Sequence, residues 1–71
     1  MSVDMTERHI GAIVRRLRRQ RQLTQEQLAA RTGLSQGHVS HLENGERLNP
    51  GMTTLKRLAR ALGVPVAELL K

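Results

Sequence analysis

Two sets of side chains in this sequence have chemistry to offer. The first is neutral: Gln36, His38, Ser40 and His41 cluster around Gly37 in the stretch from Ser35 to Asn44. Amides, hydroxyls and imidazoles donate and accept hydrogen bonds, which suits reading the polar edge of a partner. The second set is cationic. Arg8, Arg15, Arg16, Arg18, Arg19 and Arg21 fall in one stretch that contains no acid, and these six arginines equal the whole formal net charge of +6. Such a cluster gains affinity by displacing counterions condensed on phosphates, so it implies a nucleic acid as partner.

The same residues serve catalysis badly. Asp4 is the sole aspartate, and Ser40 and His41 are neighbours whose side chains would point about 100° apart on a helix, so no nucleophile and base are paired. His38 and His41 have the spacing of a metal pair, yet no third ligand lies nearby and there is no cysteine, so neither metal nor cofactor is expected. Without cysteine the chain has no disulfide staple, which fits a reducing cytoplasm. The absence of any aromatic residue disfavours stacking on single-stranded bases and points to duplex DNA. No apolar stretch approaches the roughly 20 residues needed to span a bilayer, and Met1 to Glu7 lacks the pattern of an export signal, so no membrane partner is expected.

At 71 residues the chain has room for one core. Ordering it costs on the order of 100 kcal/mol, at roughly 1.5 kcal/mol per residue, which calls for locally stable helices or a second copy. Apolar residues fall at helical spacing almost throughout, and the sequence reads as all-α, with about five short helices. Ile10, Ile13, Val14 and Leu17 make one stripe of a first helix starting after Asp4 or Thr6. Thr24 to Gln27 has the form of a capping box opening a second helix, which ends at Gly33. Ser35 caps a third, from Gln36 to about Asn44, closed by Gly45. A break at Asn49-Pro50 precedes a fourth with Met52, Leu55, Leu58, Ala59 and Leu62 on one side, and Pro65 opens a fifth carrying Val66, Leu69 and Leu70.

Between Gln25 and Asn44, two short helices flank a tight turn. Ala29 is small where helices must cross, Gly33 supplies the turn, Leu34 fills the corner, and Val39 and Leu42 dock the third helix on the second. This is the spacing of a helix-turn-helix. The segments LTQEQLAARTGLSQGHVSHLENG, Leu23 to Gly45, and NPGMTTLKRLARALGV, Asn49 to Val64, resemble the Cro and lambda-repressor-like helix-turn-helix proteins, also called the xenobiotic-response-element family. The resemblance covers about Ile10 to Leu70, nearly the whole chain. It implies a compact five-helix DNA-binding domain over residues 1–71, with the motif at 25–44, a short tail at 1–6, and the third helix in the major groove.

By the same resemblance, Gln36, Gly37 and His41 match base-edge readers, and Ser40 shares their face. Gln36 suits adenine, since a primary amide accepts from N6 and donates to N7. Gly37 departs from the polar residue common in the family, and allows close approach rather than a side-chain contact. Gln25 matches a phosphate anchor beside the cap residue Thr24; His38, Asn44 and Arg47 are expected along the sugar-phosphate backbone. Arg18 and Glu43 match a pair that joins the first and third helices as a partly buried ion pair. The implied function is a sequence-specific transcriptional regulator, a repressor acting as a homodimer on a palindromic operator and carried by a bacterium or phage. A restriction-modification controller is a variant of that reading. The alternative is an antitoxin or accessory subunit whose main partner is a protein, a toxin or larger regulator. Both a minimal protein and the amino-terminal domain of a longer one fit the sequence.

Overall fold

The computed structural model describes residues 5–46 and 50–71, with side chains from residue 10 onward. Among them are four α-helices: α1 (Met5–Gln20), α2 (Gln25–Thr32), α3 (Gln36–Glu43) and α4 (Met52–Leu62), followed by a 3-10 turn at Val66–Leu70. Each carries an apolar stripe, and α2 and α3 also open on side-chain caps. On α1 the stripe of Ile10, Ile13, Val14 and Leu17 is buried. α1 packs on α3, α4 and the terminal turn, while α2 packs on α3 and α4. Leu28, Val39, Leu42, Leu58, Leu62 and Leu69 meet in the centre with essentially no exposure. Each contributes about 1.5–3 kcal/mol by leaving water.

Helix ends explain the tightness of the turns. Thr24 Oγ1 accepts from the Gln27 N–H at 3.0 Å and the Thr24 N–H donates to Gln27 Oε1 at 2.8 Å, a complete capping box. α2 stops at Gly33, whose φ of 79° lies where a Cβ is unfavourable and whose N–H donates to the Ala29 carbonyl at 2.9 Å. Buried Thr32 completes this turn, its hydroxyl donating to the Leu28 carbonyl at 2.9 Å and accepting from the Leu34 N–H at 3.3 Å. α1 ends differently: the Leu23 N–H bonds the Arg18 carbonyl and the Gln22 N–H bonds the Arg19 carbonyl, at 3.1 and 3.0 Å. This Schellman closure puts Gln22 at φ 57°, a place usually taken by glycine, so its residue type gives no warning of the turn.

Three expectations need correction. The fifth helix is not an α-helix: five residues after Pro65 cannot sustain a run of α-helical bonds, and the Glu68 N–H bonds the Pro65 carbonyl three residues back. The three-residue period puts Val66 and Leu69 on the same side and turns Leu70 outward, half-exposed. Met52, one turn before the α4 core begins at Leu55, is 53% exposed rather than part of the packed stripe. Helix already runs at Met5, so residues 5 and 6, expected in the tail, belong to α1, which starts just after Asp4.

Gly11 was not singled out by the sequence, yet it sets the α1–α3 distance. A Cβ placed there would lie 2.0 Å from the Leu42 carbonyl oxygen. Gly11→Ala is therefore expected to cost about 1–3 kcal/mol by overpacking, despite alanine's better helix propensity. Thermal unfolding followed by circular dichroism reads this as a drop of several degrees in Tm; an unchanged or raised Tm would contradict the close crossing.

Candidate nucleic-acid interface

α3 is eight residues long and begins at the Ser35 cap, where Ser35 Oγ accepts from the His38 N–H at 3.0 Å. At 100° per residue, Gln36, Ser40, Asn44, Gly37 and His41 sweep one arc of about 140°, opposite the arc of Val39 and Leu42. Gln36, Gly37, His41 and Asn44 are exposed, Ser40 is half-buried, and Val39 and Leu42 are fully buried. His38 sits off this arc, half-buried at the border of the packed side. A Cβ on Gly37 would meet nothing closer than Ser35 Oγ at 4.0 Å, so the fold makes no demand for glycine there. His41 Nδ1 lies 3.4 Å from Glu46 Oε1, both side chains more than half exposed. Glu46 was not anticipated at the site. Among the described residues no three His, Asp or Glu side chains converge as a metal site would require. Arg47 lies outside the described residues.

α2 is set against α3 by an ionic hub. Glu43, at the end of α3, has a side chain with no exposure. Arg18 on α1 donates to it twice, Nε to Oε2 at 2.7 Å and Nη2 to Oε1 at 3.0 Å, a bidentate pair. A third donor, Arg18 Nη1, bonds the Leu23 carbonyl at 2.7 Å and pins the α1–α2 loop. Gln25, first residue of α2, donates from Nε2 to Glu43 Oε1 at 3.1 Å. One amide hydrogen of Gln25 is thus committed inward and its other donor remains for an external partner. The contact between Gln25 and Glu43 is not visible in the sequence pattern, since the two stand 18 positions apart on different helices. Thr24 stands beside it, exposed, its hydroxyl oxygen occupied by the cap.

The site is therefore the start of α2 and the outer arc of α3, joined through Glu43. A family model described as Helix-turn-helix matches residues 14–69. The chain belongs to the helix-turn-helix family. This helix-turn-helix chain is 51% identical over 61 residues to the uncharacterized HTH-type transcriptional regulator y4dJ of Sinorhizobium fredii, covering 86% of this chain and 78% of that one. It is 43% identical over 60 residues to the HTH-type transcriptional repressor RghR of Bacillus subtilis, covering 84% of this chain but only 44% of that protein. Among solved structures it is similar to the restriction-modification controller protein C.AhdI from Aeromonas hydrophila, with TM-score 0.82 and 35% identity over 87% of this chain and 92% of that one.

Breaking the hub leaves a buried charge without its partner. Arg18→Ala or Glu43→Ala should each cost about 3–5 kcal/mol, whereas Arg19→Ala, on the exposed side of α1, should stay within about 0.5 kcal/mol. Urea unfolding of the three variants tests this, and equal midpoints would rule the hub out as the joint between α1, α2 and α3.

Proposed function

We propose that this chain is a sequence-specific, double-stranded DNA-binding transcriptional regulator that places α3 in the major groove and represses by occupying promoter DNA. The observation that carries the reading is the arc of Gln36, Gly37, Ser40 and His41: polar, turned away from the core, and set on the second helix of a helix-turn-helix. α3 spans about 12 Å, and a groove about 12 Å wide admits a helix. Gln36, in the first turn, stands where base edges are read, with adenine as its natural partner. Gly37, free of structural need for a missing Cβ, lets the helix axis come close to the bases.

Gln25 and Thr24 are read as backbone anchors, with the Gln25 amide held in place by Glu43 and its remaining N–H aimed at a phosphate. His38 and Asn44 are read as further backbone contacts, and Arg47, which lies outside the described residues, keeps that role by family resemblance alone. The names of the relatives, regulators and a repressor, support the regulatory reading. The protein acts as a homodimer on a palindromic site, with half-sites about one turn, roughly 34 Å, apart. Half-exposed Leu70, with partly buried Val64 and Val66 nearby in sequence, supplies apolar surface for the second copy. It is not an enzyme, and it works where bacterial or phage DNA resides, in the cytoplasm.

Selection of bound sequences from a random duplex pool tests this reading. The wild-type chain is expected to return a palindrome; Gln36→Ala should relax one base position per half-site by about 1–3 kcal/mol. Gly37→Ala should raise stability by roughly 0.5–1 kcal/mol while weakening binding, a separation that a purely structural glycine would not produce. A pool that enriches no sequence would overturn the proposal.

A further inference from the structure

On the outer side of α1 a depression of about 470 Å³ is lined by Ala12, Arg15, Arg16, Arg19, Gln20 and Glu43. Its arginines belong to neither the α3 arc nor the Arg18 pair. Arg15, Arg16 and Arg19 are exposed, and Arg15 Nε lies 3.9 Å from Glu43 Oε1 with its side chain 45% exposed. Glu43 is the one acid among the lining residues, and its charge is already matched by two bonds from Arg18 at 2.7 and 3.0 Å. Three guanidinium groups therefore line the depression, and among the described residues no acid but Glu43 lines it with them. Arg15 and Arg19 are four residues apart on one helix face, an arrangement that destabilises a helix unless an outside anion compensates it.

The place of the depression indicates which anion. Glu43 Oε1 accepts from Gln25 Nε2 at 3.1 Å while facing Arg15, so the arginines begin beside the first residue of α2. We propose that the arginines of this depression hold duplex DNA backbone phosphates, forming a second contact line that continues from Gln25 along α1. The proposal rests on the DNA-binding reading above and extends its footprint to a helix outside the motif. Guanidinium forks match phosphate oxygens bidentately. An acidic peptide is the weaker fit, because Ala12 is the one apolar residue among those lining the depression and is too small to anchor a protein partner.

The test is the salt dependence of binding to a random-sequence duplex, measured by fluorescence anisotropy for the wild-type chain, Arg15→Gln/Arg19→Gln, and the charge-matched control Lys56→Gln/Lys71→Gln. The arginine pair should flatten the slope of log K against log salt by about 0.9 for each phosphate no longer neutralised, and the control should leave it unchanged. A slope that changes no more than in the control overturns the proposal. The Nε–Hε resonances of Arg15 and Arg19 give a second readout, and should move with this duplex at concentrations where inorganic phosphate or a poly-glutamate peptide moves neither. If phosphate alone moves them, the site belongs to a soluble phosphoester; if the peptide alone does, to a protein. Either result overturns the assignment to DNA. The random duplex keeps the two readings apart: a flattened slope with no enriched sequence retains the contact line and rejects the regulator, and the reverse pattern rejects the contact line alone.

Discussion

The buried carboxylate of Glu43 is the joint on which this small protein turns. It takes two bonds from Arg18 on α1 and one from Gln25 on α2, and it closes the helix that bears the reading arc. A charge so placed is costly to desolvate, and its net contribution to stability against an apolar alternative is small. Its effect is geometric. Three elements share one carboxylate, so the start of α2 and the arc of α3 hold a fixed relation, which on the proposed reading lets both meet DNA without further ordering. Close approach at Gly11 works to the same end, bringing the α1 backbone against the end of α3.

Charge and specificity are divided between helices. Five of the ten arginines lie on α1, while the α3 arc carries an amide, a hydroxyl and an imidazole. Long-range attraction falls off over about 8–10 Å at ordinary ionic strength and does not distinguish bases, whereas hydrogen bonds to base edges do. On the proposed reading, separating the two lets the basic helix hold any duplex while the neutral arc samples its sequence. A chain with net charge +6 thus has a third helix without Lys or Arg.

Much of this was legible in the residues. The capping box at Thr24, the glycine at the α2–α3 turn and the apolar stripes are local signals, set by backbone and period, and the helices follow them closely. The neutral arc was legible for the same reason, as the complement of Val39 and Leu42. The Arg18 and Glu43 pairing came through family resemblance rather than through spacing. What escaped reading is non-local or lacks a residue signature. Gln22 takes a left-handed turn without being glycine, and Gly11 is small because of a carbonyl on another helix. Gln25 reaches Glu43 across 18 positions. The last segment reads as an α-helix in the sequence because apolar spacing alone does not separate a short α turn from a 3-10 turn.

The central claim is that DNA meets the outer arc of α3 and the first turn of α2. Titrating the protein with its selected duplex and following backbone amide resonances tests it most directly. The account predicts the largest shifts at Thr24, Gln25, Gln36, Gly37, Ser40 and His41, with α4 little changed. Shifts concentrated on the exposed face of α4, with the α3 arc undisturbed, would contradict it.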